Sequence, residues 1–106
     1  MMGAHIINKD LTRARFNLGR AYLELAQPAR ALAQLEPLAT SLDDLRPDLR
    51  VAAELTLARA LWDAGGDRAR AHELASRART AAELIERPHR EEVAAIDRWL
   101  ASHHAP

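Results

Sequence analysis

No cysteine occurs in the chain, which removes disulfides, thiolate metal sites and cysteine nucleophiles together. Aromatic residues are 4% of the total while nearly half the chain is hydrophobic, so a core has to be assembled from leucine and alanine. Both are strong helix formers, and small side chains let helix axes approach closely. No excess of one charge sign exists either: acidic and basic residues stand at 15 each. A duplex-binding protein needs a concentrated basic face, and that is missing. Lys9 is the only lysine, an arginine bias that fits a GC-rich genome. No apolar run approaches the roughly 18 residues needed to cross a bilayer. The opening MMGAHIINKD has no basic n-region, and its apolar piece is too short for a secretory signal. A single cytoplasmic domain with no membrane partner is the expectation, its 106 residues sufficing for one modest core.

What is present is helical periodicity, interrupted by proline and glycine at regular places. Residues 1–8 show no period and read as a frayed start, with Asn8 or Asp10 able to cap a first helix running to about Ala26. Leu11, Ala14, Leu18, Ala21, Tyr22 and Leu25 form its apolar stripe. Pro28 suits the first turn of a second helix, which carries Ala31, Leu32, Leu35, Leu38 and Ala39 inward and ends near Leu42. The polar stretch SLDDLR reads as a linker, and Pro47 opens a third helix with Val51, Leu55, Ala58, Leu61 and Trp62 on one side. Gly65-Gly66 stops that helix, one glycine supplying a left-handed C-cap, and Asp67 caps a fourth. The fourth has an alanine stripe of Ala71, Ala75, Ala78 and Ala82, finished by Leu84 and Ile85 and broken at Arg87-Pro88. A fifth runs to about Ser102 with Val93, Ile96, Trp99 and Leu100 apolar.

The helices repeat. Leu18, Leu57 and Ile96 lie 39 residues apart in turn, as do Tyr22, Leu61 and Leu100, while Gly19 aligns with Ala58. In the second helices Ala31 pairs with Ala71 and Leu35 with Ala75 at an offset of 40, so one residue is inserted at the Gly-Gly turn. Across residues 11–86 this pattern resembles the tetratricopeptide repeat family, which has large-x-x-Leu-Gly-x-x-Tyr on its first helix and small residues on its second. Leu18, Gly19, Tyr22, Ala31 and Leu35 match one unit, with Arg15 where the family has a large aromatic. Leu57, Leu61, Gly66-Asp67, Ala71, Ala75 and Ala78 match the next, with Ala58 replacing the glycine. The longer period implies extended helix ends or a longer link between hairpins. The stretch ARALWDAGGDRARAHELASRAR is also similar to helical repeats trailing bacterial signalling kinases, although no kinase motif is present.

The resemblance implies an all-α, right-handed stack of two hairpins, at about residues 10–42 and 47–87, with a capping helix at about 88–102. It also implies a non-catalytic protein-binding module that holds a peptide or partner helix on its first helices. The implied lining is Arg13, Phe16, Asn17, Arg20 and Leu23, then Leu55, Thr56, Arg59, Trp62 and Asp63, then Arg98. Arg20, Arg59 and Arg98 share the period of 39 and could form a ladder for an acidic peptide, since arginine pairs bidentately with carboxylates. The competing reading is three solvated arginines, or partners for internal acids such as Glu24 and Asp63. Trp62 and Trp99 are candidates for anchor or core. Two hairpins and a cap sit at the lower limit of about three repeats for stability. The N-terminal side of the first hairpin lacks a neighbour, so homodimerisation or membership of a longer array follows, the latter as a regulatory piece of a larger bacterial signalling protein. A helix-turn-helix through residues 57–86, with Arg68, Arg70, Arg77 and Arg79, is the weaker alternative. His5, His72, His89, His103 and His104 show no metal-ligand spacing, and Ser41, Ser76 and Ser102 no nucleophile context, so neither metal, cofactor nor enzyme activity is expected.

Overall fold

The computed structural model describes the backbone of residues 2–85 and 90–103 and the side chains of 11–85 and 93–103. Five α-helices make up this region, with no strand among the described residues: α1 (Met2–Glu24), α2 (Pro28–Leu35), α3 (Pro47–Asp63), α4 (Arg68–Glu83) and α5 (Arg90–Ser102). Short connections fold α1 back on α2 and α3 back on α4, giving two antiparallel hairpins. α2 lies against both α1 and α3, and α4 against both α3 and α5, while α1 touches α3 only lightly. The expected break at Arg87-Pro88 falls outside the described residues.

The two hairpin turns have the same geometry. The Gln27 N–H donates to the Tyr22 carbonyl (2.8 Å) and the Ala26 N–H to that of Leu23 (3.0 Å). The Gly66 N–H donates to the Leu61 carbonyl (2.8 Å) and the Gly65 N–H to that of Trp62 (3.1 Å). Each is a Schellman closure in which one residue adopts a left-handed backbone, Ala26 at φ 57° and Gly65 at φ 73°. The pairs of positions are 39 residues apart. After the first turn α2 starts at once with Pro28; after the second, Asp67 intervenes and accepts from the Arg70 N–H at 3.0 Å as an N-cap. That is the single inserted residue.

Within the first hairpin the helices meet at Gly19. A Cβ there would stand 2.5 Å from Leu35 Cγ, and Leu35 is itself 1% exposed with nowhere to move. The closest approach of α1 to α2 therefore depends on a missing side chain. In the second hairpin Ala58 takes the equivalent place, beside an α4 stripe of Ala71, Ala75, Ala78 and Ala82 that is buried throughout.

Three expectations need correction. The first helix begins at Met2, well before Asn8 and Asp10. The second ends as an α-helix at Leu35 and continues as a 3₁₀ turn over Glu36–Thr40, because Pro37 cannot donate to the Ala33 carbonyl and its ring crowds it. Of the expected α1 stripe only Tyr22 packs on the core: Leu11, Leu18 and Leu25 are 46%, 41% and 65% exposed, and Leu84, just past the end of α4, is exposed too. α1 packs instead by the side carrying Phe16, Gly19, Tyr22 and Leu23.

Two substitutions test this geometry. Ala26→Gly removes the cost of a left-handed alanine and should stabilise the fold by about 1 kcal/mol. Gly19→Ala should destabilise it by about 1–2 kcal/mol, overpacking against Leu35 outweighing the better helix propensity. Urea unfolding of both variants measures each sign.

Candidate functional site

α1, α3 and α5 correspond at a spacing of 39 in the sequence, so the burial of α3 can be compared side by side with the other two helices. Val51, Glu54, Ala58 and Leu61 are buried and face into the second hairpin and α5. Ala53, Thr56, Leu57 and Ala60 are buried on the side toward the preceding hairpin; the three apolar ones share a cluster with Leu35, Leu38 and Leu42. Arg59 and Asp63 are exposed, with Ala52, Leu55 and Trp62 half-buried beside them. This last side is the free one. On α1 it corresponds to Arg13, Phe16, Arg20, Leu23 and Glu24, and on α5 to Ala94, Arg98, Ala101 and Ser102.

Arg13, Arg20, Arg59 and Arg98 all stand exposed on this free side. Neither of the local acid partners captures its arginine: among the described residues no ion pair joins Arg20 to Glu24 or Arg59 to Asp63. Arg20 instead lies over the Phe16 ring, 5.6 Å from its centre. Three of the expected lining residues are placed differently. Phe16 is 5% exposed and belongs to the core, drawn in by the Gly19 contact beside it. Asn17 is exposed, but on the side equivalent to Thr56, which in α3 is buried with its hydroxyl donating to the Ala52 carbonyl at 2.7 Å. Thr56 therefore lines no free surface.

Trp62 closes one end of the free side as part of an aromatic group. Its ring meets that of Trp99 edge-on at 5.8 Å, and the His103 ring stacks on Trp99 at 4.3 Å. His103 Nδ1 lies 2.8 Å from the Trp99 carbonyl oxygen, which can only accept, so this nitrogen carries the proton. The Arg68 guanidinium covers Trp62 at 4.7 Å. His103 lies just past the expected end of the fifth helix near Ser102, and its i+4 spacing from Trp99 is the signal in the sequence that places it. Nearby, Gln27, Pro28, Arg30 and Asp63 border a shallow, open depression between the two hairpin turns.

The arginines of the helix-turn-helix alternative are engaged within the fold. Arg70 pairs with Glu36 at 2.6 Å, Arg77 reaches Glu54 at 3.6 Å, and Arg79 binds both Glu83 and Asp97. With Arg68 on Trp62, all four arginines of that helix are engaged within the fold.

One buried polar residue carries no mark in the sequence. Glu54 is fully buried on α3, with Arg50 Nε 3.5 Å from one carboxylate oxygen and Arg77 Nε 3.6 Å from the other. Neither oxygen has a hydrogen-bond partner among the described residues. Burial pushes its carboxyl above the ordinary range, Arg50 and Arg77 oppose that shift, and Asp43, paired to Arg50, adds to it.

Compared with known proteins, the chain matches no family model, and no curated protein or solved structure matches it.

The Glu54 environment has a signed consequence for stability. As pH rises, the unfolded chain loses its Glu54 proton first and the folded chain later, so stability falls from about the ordinary carboxylate pKa of 4.5 up to the raised folded value. It levels off above that. Glu54→Gln should remove this component, so the wild type should lose stability relative to the variant as pH rises through that window. Urea unfolding across a pH series checks the slope; parallel curves would contradict it.

Proposed function

We propose that this chain is a helical-repeat scaffold of the tetratricopeptide type, holding an acidic peptide or partner helix along the free side of α1, α3 and α5. The observation that carries the reading is the placement of Arg20, Arg59 and Arg98. They occupy one register on three equivalent helices, all exposed, and the two acids four residues downstream leave them available. A side chain that needs only solubility has no reason to keep register with a structural repeat. Among the described residues the free side, with Arg13, carries four cations against Glu24 and Asp63, an excess suited to carboxylates on an extended ligand. Trp62, half-buried and held by Trp99 and Arg68, supplies an apolar edge that is rigid before binding. The function is binding without chemistry.

The test is binding of a panel of aspartate- and glutamate-rich peptides, followed by calorimetry and by tryptophan fluorescence. The Arg20→Ala, Arg59→Ala double variant should weaken the best binder by about 2 kcal/mol, roughly thirtyfold, and added salt should weaken it further. Equal affinity of wild type and double variant, or no binder in the panel, contradicts the reading.

A further inference from the structure

The side of α1 that turned out to be exposed is the side that α3 and α5 bury. Leu57 (1% exposed) lies beneath the first hairpin, and Ile96 (0%) is buried with Val51, Ala78 and Ala82 of the second. Their α1 equivalent, Leu18, is 41% exposed, and its neighbours Ala14 and Ala21 are exposed as well. The stacking interface thus continues onto α1, where no described residue of this chain covers it.

Two features specify the cover. Leu11, Ala14, Leu18, Ala21 and Leu25 follow one another at alternating steps of three and four with large and small residues strictly in turn, and the sequence continues the steps back through Ile7 and Ala4. This is a seam of a coiled-coil kind. Its length is the second feature. The eight residues of α2, which abut α3, span about 12 Å, whereas Leu11 to Leu25 alone spans about 21 Å. On α3 the eight-residue α2 covers the equivalent residues only together with the turn after it, whereas a helix as long as α1 covers the seam alone.

We infer that the seam pairs with α1 of a second copy, the two helices running antiparallel about a two-fold axis near residue 16. In that register Leu11 meets Ala21 of the partner subunit and Leu18 meets Ala14 of the partner subunit, so the four central layers each set a leucine against an alanine, and Leu25 falls opposite Ile7 of the partner subunit. The arrangement is isologous and closes at two copies. A formal net charge of +0 sets no long-range repulsion against it. The pairing leaves the arginines of the free side on a different face of α1, and it stands independently of whether they bind a peptide.

Sedimentation equilibrium over a concentration series reaching about 100 μM should find a dimer. Leu18→Glu and, separately, Leu25→Glu should make it monomeric with unchanged helical circular dichroism, since both side chains are exposed within the protomer. Because the chain has no cysteine, direction can be read by cross-linking. The Ala14→Cys, Leu18→Cys double variant should form a disulfide-linked dimer, and each single variant should do so far more slowly. A wild type that stays monomeric throughout the series overturns the proposal. So does a dimer that survives both glutamate substitutions, or single variants that cross-link as fast as the double.

Discussion

Everything in this fold depends on sideways burial: the first helix of one hairpin is completed by the second helix of the hairpin before it. Leu57 is buried only because α2 and the turn after it lie over α3, and Ile96 only because the second hairpin lies beside α5. A single pair of helices covers one side of each and leaves the rest to water, so stability is carried by contacts between neighbours. The same constraint sets the helix composition. α3 is buried on two sides, which are mostly small and aliphatic residues, whereas α1, at the end of the stack, is buried on one and leaves leucines exposed on the other.

The local punctuation was readable from the sequence because it follows from backbone chemistry. Pro28 and Pro47 open their helices, Asp67 caps α4, Gly65 takes the left-handed position, and the one-residue insertion sits where the offset changes from 39 to 40. Ala26 shows the limit of such reasoning: it holds the same left-handed conformation without being glycine, and only the repeat identifies it. Which side of α1 faces inward was not readable. That helix carries two apolar stripes, and period alone does not rank them. The decision is made by Gly19, whose lack of a side chain lets Leu35 in and takes Phe16 with it. For the candidate site, the register of the three arginines was visible in the spacing, but the burial of Phe16 and Thr56 was a tertiary fact.

Two groups of polar and aromatic residues reinforce the stack where alanine alone would pack without direction. Glu54 with Arg50 and Arg77 ties α3 to α4, and Arg50 reaches on to Asp43 in the link between hairpins. The contacts are ionic but lack hydrogen bonds, so their contribution lies in fixing how the helices sit rather than in net stability. At the far end Trp62, Trp99 and His103 tie α5 to α3, with Arg68 of α4 above. Together these hold the first helices in register, which is the condition for any ligand that reads across them.

The most direct measurement is a comparison of two leucines at the same place in the repeat, Leu57→Ala and Leu18→Ala, by urea unfolding at high dilution so that self-association does not contribute. Sideways burial predicts a loss of about 2–5 kcal/mol for Leu57→Ala and under about 1 kcal/mol for Leu18→Ala. Equal losses at the two positions would contradict it, because they would mean that each hairpin is stabilised from within.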